Sequence, residues 1–298
     1  MTAPEERQPD VTVPGHLDSI GACRSLTVTS VSEIGWWSTE RLLDDIKSGG
    51  GAAACQWGMH FDPDNAAGSC TLLEVEDRLG KVTRILLDAG WNPGYMSERL
   101  RATGVDRLLE EGGVDLLFLT HEHLDHFWGI EAVLRLAPEI TFLVPGTISD
   151  NGLAWLGGGA FPAAGIENRV PHRGKVVRML PGGVHRLADG VASVTFDVPI
   201  LLDIRGEQSI YVNIEERGLV CVTGCCHQGV RRAGDCPDAR AGLPHPGRQR
   251  QERVERHRSH RQRRHRAILS RPPNGPKMEG TNNPAFEPRK AEKGHLVS

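Results

Sequence analysis

Within Gly113–Gly129, which reads GVDLLFLTHEHLDHFWG, four side chains able to bind a metal ion fall within six residues: His121, His123, Asp125 and His126. They follow directly on Val114–Thr120, an apolar run of the kind that forms a buried strand. If the chain stays extended past Thr120, His121 and His123 leave on the same side, because strand side chains repeat every two residues, and together they can hold one cation. Phe127–Leu136 reads as a helix with Trp128, Val133 and Leu136 among its apolar positions, ended by Ala137-Pro138. Asp125 and His126 then lie at its first turn, aimed differently from the histidine pair. Such a group offers two imidazoles to one ion and a carboxylate plus an imidazole to a second, about 3.5–4 Å away in typical two-metal sites. The plain alternative is a polar surface loop, and three histidines with an aspartate directly after a buried strand argue against it.

A second informative stretch is Gly218–Val230, GLVCVTGCCHQGV. Leu219–Thr223 reads as a buried strand, closed by a tight turn that displays Cys225, Cys226 and His227. Cysteine is also a common small core residue, so this stretch gains its weight from the first. Asp88, in the run RILLDAG (Arg84–Gly90), reads in isolation as a turn residue before Gly90.

Taken together, these segments resemble the metallo-β-lactamase-fold superfamily. THEHLDH, Thr120–His126, resembles its H-x-H-x-D-H signature, and RILLDAG resembles the strand-then-Asp-x-Gly element that precedes it. In the family that aspartate stands behind the ligands, which carries over to Asp88; a metal-bound imidazole needs a partner for its other N–H to fix its tautomer. The G-C-[small]-H-x-G turn resembles the branch that includes the 7,8-dihydropterin-6-methyl-4-(β-D-ribofuranosyl)aminobenzene-5′-phosphate synthase and many metallo-hydrolases. The likeness runs from roughly Leu72 to Val230.

The resemblance implies an α/β, four-layer αββα sandwich with ligands on loops at one edge of two sheets. It implies two divalent metal ions, zinc first, with manganese or iron as alternatives. His121, His123 and His227 would hold one ion, Asp125 and His126 the other; Asp125 could also orient the nucleophile or shuttle a proton, and Cys225 is a lesser ligand candidate. The implied activity is that of a metal-dependent hydrolase on a small-molecule substrate, or of a pterin-linked transferase. A phosphodiesterase or nuclease is the runner-up, and an inactive truncated relative the non-enzyme reading.

The chain has 298 residues and a formal net charge of −3 that conceals a division. Residues 231–298 carry 17 Lys and Arg against 7 Asp and Glu, and residues 1–230 carry 18 against 31. This divides the chain into a loose lead-in (1–22), a metallo-β-lactamase-like domain (23–230) and a basic tail (231–298). The tail has one aromatic residue, Phe286, and little apolar periodicity, so it is expected to be disordered. Three readings of it compete: an arm that binds nucleic acid through its arginines, a solvated tail, and, preferred, an out-of-frame translation of GC-rich DNA, since the family's later glycine- and histidine-bearing elements do not follow Val230. The domain is therefore expected to be incomplete at its C-terminus. Seven cysteines without C-x-x-C spacing argue against a disulfide framework. No signal-like start and no long apolar run point to a cytoplasmic protein without a membrane span.

Other elements are expected as strands over Ser25–Ile34, Gly68–Val75, Lys81–Asp88, Ile140–Val144, Val176–Leu180, Val191–Val198 and Ser209–Ile214, and as helices over Thr39–Ile46 and Met96–Glu111. Gly68–Val75 and Lys81–Asp88 read as an antiparallel pair. Asn151–Gly165, rich in glycine and alanine, reads as a loop or lid. Arg169–Lys175 gathers His172, Arg173 and Lys175, either a solvated turn or a contact for an anionic substrate.

Overall fold

The computed structural model of the protein describes residues 20–229. These lie in the first of two compact units, Met1–Leu243; the second, Pro244–Ser298, lies outside the described residues, as do the basic tail and its three readings.

β1 (Ser25–Ser32) is followed by α1 (Thr39–Ser48), whose first turn is capped by the Ser38 side chain accepting from the Arg41 N–H. β2 (Cys70–Glu76) and β3 (Val82–Leu87) form the expected antiparallel pair, with Leu73 opposite Ile85. The single helix expected over Met96–Glu111 is two. α2 (Pro93–Thr103) stops at Gly104, whose φ of 75° is left-handed, and α3 (Val105–Glu110) restarts beyond it. β4 (Leu116–Phe118) carries the histidine run. The helix expected over Phe127–Leu136 is replaced by two single turns, α4 (Leu124–Phe127) and α5 (Glu131–Leu134). Between them Gly129 passes so close to the strand-end loop that a Cβ there would lie 2.5 Å from the Ala89 carbonyl oxygen.

β5 (Thr141–Pro145) leads to the stretch expected as a loop or lid, and here the expectation needs correction. Asp150–Leu156 is a helix, α6, capped by Ser149 and burying Trp155 and Leu156; β6 (Ala160–Phe161) and β7 (Ile166–Glu167) form a small hairpin. β8 (Val176–Met179), β9 (Val184–Ala188), β10 (Val191–Pro199), β11 (Arg205–Ile214) and β12 (Gly218–Val222) complete the described chain. β12 is expected to be buried; among the described residues it is an edge strand, with Val220 37% exposed.

The first sheet runs β1-β2-β3-β4-β5-β8 and is parallel from β3 to β8; the second, antiparallel, runs β12-β11-β10-β9. Strand alternation splits the apolar residues between two cores. Leu72, Leu86, Leu117 and Phe142 face outward into a core shared with the helices, beside Leu100, Trp128 and Trp155. Their neighbours Leu73, Ile85, Phe118 and Leu143 face inward and meet Val191, Ile210 and Val212 of the second sheet. The sheets thus pack face to face, as in a sandwich of the metallo-β-lactamase type. The outer face of the second sheet carries Ala192, Val194 and Tyr211 beside Ile20, and no described helix packs in that cluster. Residues 20–229 therefore supply three of the four expected layers. Among them no helix is long and apolar enough to cross a membrane.

Candidate metal centre

Because β3, β4 and β5 are parallel, their C-terminal ends share one edge, and the loops leaving them meet there. Asp88 follows β3, the run His121–His126 follows β4, and the turn Gly224–Gly229 arrives from β12 of the second sheet. His121 Nε2 lies 3.0 Å from His123 Nδ1, so the two side chains do converge as period two requires. The His227 ring stands 4.9 Å from that of His121 and 5.0 Å from that of His123, and His126 lies 4.2 Å from His121 on the other side. Asp125 Oδ2 approaches His126 Nε2 at 3.3 Å, and Cys225 Sγ approaches the same nitrogen at 3.2 Å.

Three of these imidazoles have one nitrogen engaged by the protein and the other turned to the common centre. His126 Nδ1 lies 2.7 Å from Asp88 Oδ2. His123 Nε2 meets the Leu201 carbonyl at 2.9 Å, and His121 Nδ1 meets Thr120 Oγ1 at 3.1 Å. That arrangement is what ligating histidines need, because the outer bond selects the tautomer and fixes the ring. Asp88 also binds the Thr120 N–H through Oδ1 at 2.7 Å, so a single carboxylate orients His126 and the strand end together. It does so from a left-handed backbone, φ 60°, which aspartate tolerates better than most residues.

The electrostatics agree with a donor set. Burial lowers the His121 pKa well below the ordinary histidine value, and the neighbouring histidines push in the same direction. His123 is lowered mainly by burial, and His227 falls to about 4 through burial and its neighbours His123 and His126. All three are neutral imidazoles at neutral pH, the form that binds metal. His126 is the exception: burial opposes its charge, yet Asp125 and Asp88 hold its pKa well above the usual range. Burial would raise Asp125, but His126 keeps it a carboxylate. Two triads with their ligating atoms within 4.8 Å of one another, His121–Cys225–His227 and Asp125–His126–Cys225, fit divalent cations of the zinc type; His123 stands beside the first, its Nδ1 against His121 Nε2, but completes neither triad.

Several residues that hold this arrangement carry no sequence signature. Glu207, fully buried on β11, accepts from the backbone N–H groups of Cys226 at 2.8 Å, His227 at 2.5 Å and Gln228 at 3.4 Å, and so sets the turn that delivers His227. Gln56 clamps the histidine loop at both ends of its side-chain amide, donating to the Glu122 carbonyl and accepting from the Leu124 N–H. The Glu122 side chain points away from the centre, where it accepts from Trp57 Nε1 and the Ser149 N–H and Oγ. Gly224 packs so tightly that a Cβ would lie 2.5 Å from Thr120 Oγ1. The one visible hint of Glu207 was a charge inside the strand-like run RGEQSIYV. By contrast, the Arg169–Lys175 cluster lies at the other end of the sheet. Arg173 N–H bonds the Pro138 carbonyl and His172 bonds the Ile140 carbonyl, at the start of β5, which places the cluster away from this centre.

A sequence profile of the metallo-beta-lactamase superfamily matches residues 64–199, a span that takes in Asp88 and the whole run His121–His126. Just under half of the chain thus matches the metallo-beta-lactamase superfamily. Solved structures similar to this chain include a motif mutant of a metallo-beta-lactamase from Cronobacter sakazakii, at 17% identity and TM-score 0.34, covering 52% of this chain and 57% of that one. A subclass B3 metallo-beta-lactamase from a soil metagenome is similar at 22% identity and TM-score 0.33, covering 52% and 59%. The flavodiiron core of Flv1 from Synechocystis is similar at 15% identity and TM-score 0.36, covering 51% and 32%. The chain thus spans less than two thirds of each of these relatives, and no curated protein matches it. The likeness to this superfamily rests on the matched residues 64–199 and on the signature side chains they contain.

Proposed function

We propose that the protein is a metal-dependent hydrolase with a two-ion centre: His121, His123 and His227 around one position, Asp125 and His126 around the other. The observation that carries this reading is the convergence of these side chains with the outer nitrogens of His121, His123 and His126 already engaged. A bound divalent cation supplies an activated water and neutralises charge that develops on the substrate. The chain's own residues do the rest. Asp125 remains ionised beside His126 and is placed to orient a water or take its proton. Gly35 passes directly over Asp125, where a Cβ would lie 2.8 Å from Oδ2, and forms one wall of the centre. His227 stands exposed at the mouth, the side from which a small-molecule substrate enters.

The turn Gly224–Gly229 supports the pterin-linked transferase of the resembled branch as a second reading. Protein stripped with a chelator, reloaded with zinc and offered phosphomonoesters, phosphodiesters, lactones and reduced pterins separates the classes. Turnover that returns with zinc and is lost in His121→Ala supports the hydrolase. If none of the panel turns over in zinc-loaded protein, the enzyme reading fails.

A further inference from the structure

We propose that Cys225 is a thiolate ligand shared by the two metal positions, a proposal that rests on the two-ion reading above. Two sets of three donors lie with their ligating atoms all within 4.8 Å of one another: His121, Cys225 and His227 in one, and Asp125, His126 and Cys225 in the other. Cys225 is the member common to both. Its Sγ faces His126 Nε2, the nitrogen that Asp88 leaves free on the far side of the ring.

The sulfur is held there by the backbone on both sides of it. Before it, Gly224 lies against Thr120 and His126 without room for a side chain. After it, Glu207 gathers the N–H groups of residues 226 to 228. The adjacent Cys226 takes neither role: its backbone turns through a left-handed φ of 58°, its thiol bonds Thr223, and it belongs to neither donor set. Two neighbouring cysteines are thereby assigned different work by backbone geometry alone.

The chemistry is consistent with the place. When the ions bind, the S–H bond of Cys225 breaks, its proton goes to solvent, and the sulfur lone pairs bond to both cations. One thiolate and one carboxylate then offset two of four positive charges, leaving a centre that still attracts an anionic or strongly polarised group. A sulfur ligand also narrows the metal. Thiolates favour zinc and cobalt and select against manganese, which prefers oxygen ligands.

The test uses the full chain loaded with cobalt(II), whose thiolate-to-metal charge-transfer absorption in the near ultraviolet reports sulfur coordination directly. The band is expected in the wild type and in Cys226→Ser, and is expected to vanish in Cys225→Ser, with affinity for the second metal equivalent falling by more than about tenfold. A companion measurement needs no variant. Cys225 is exposed, so iodoacetamide should alkylate it in metal-free protein, and zinc should protect it while leaving Cys226 labelling little changed. Two cobalt ions bound without the band, or a band that survives Cys225→Ser, overturns the proposal and leaves the two-ion reading standing. Failure of the wild type to bind cobalt overturns both.

Discussion

Replacing Asp88 by asparagine changes one atom at the point where the site is most tightly specified. The Thr120 N–H holds Oδ1 at 2.7 Å, so the amide oxygen must stay there and the new NH2 must take the place of Oδ2. That position lies 2.7 Å from His126 Nδ1. Two N–H groups then face each other unless His126 changes tautomer, which places its proton on Nε2. Nε2 is the nitrogen facing Cys225 and Asp125; it has to give up its proton to ligate, and a ring whose remaining proton is forced onto Nε2 cannot do so. The backbone is not a confounding factor, because asparagine also tolerates the left-handed φ of 60°. The lost charge-assisted bond is worth about 1.5–3 kcal/mol. Metal binding should therefore weaken by about 10–100-fold. Competition titration of the metal-free protein with a chromophoric chelator reads this directly, with circular dichroism to verify the fold. Affinity within about threefold of wild type, on the same scale, would refute the claim that Asp88 selects the His126 tautomer.

Glu207→Ala leaves three backbone N–H groups without their acceptor, so the His227 turn should loosen. Unfolding free energy should fall by about 2–4 kcal/mol in urea, with metal affinity reduced alongside it, and retention of both at wild-type values would show that the turn holds itself. In Gly224→Ala the added methyl meets Thr120 Oγ1, which Asp88 already fixes, so a loss of about 1–3 kcal/mol is expected by thermal melting; an unchanged melting temperature contradicts the packing. The metal-free protein should be most stable near pH 6.5 as far as its site histidines are concerned. Below that value an unfolded chain protonates its histidines while His121, His123 and His227 resist, the last until about pH 4, so stability falls on acidification. His126 acts in the opposite sense, with its contribution complete below about 6.5 and lost as pH rises through its raised native pKa. Melting temperatures that climb from about pH 6.5 to 4.5 would contradict this assignment.

The part of the site carried by local sequence was legible in advance. His121 and His123 are two residues apart after a strand, and period two sets them on one side, where Gln56 and the Leu201 carbonyl then hold them. Asp88 was placed by its resemblance, and its contacts with Thr120 and His126 give that placement a physical basis. What stayed hidden depends on distant pairing. Glu207 acquires its role only because β11 lies beside β12 in the second sheet, and Gln56 only because a single helical turn folds back against residues 122 to 124. The α6 helix was masked by small residues whose propensity argues for a loop; the Ser149 cap and the burial of Trp155 override it. β12 read as buried because its residues are apolar, yet it closes the described sheet as an edge.

Elemental analysis of metal per chain in purified wild-type protein, with His121→Ala beside it, tests the central claim most directly. The two-ion centre predicts close to two equivalents of zinc-type metal in the wild type and a clear fall in the variant. Less than one equivalent, unchanged by the substitution, would mean that these converging side chains do not form a metal centre.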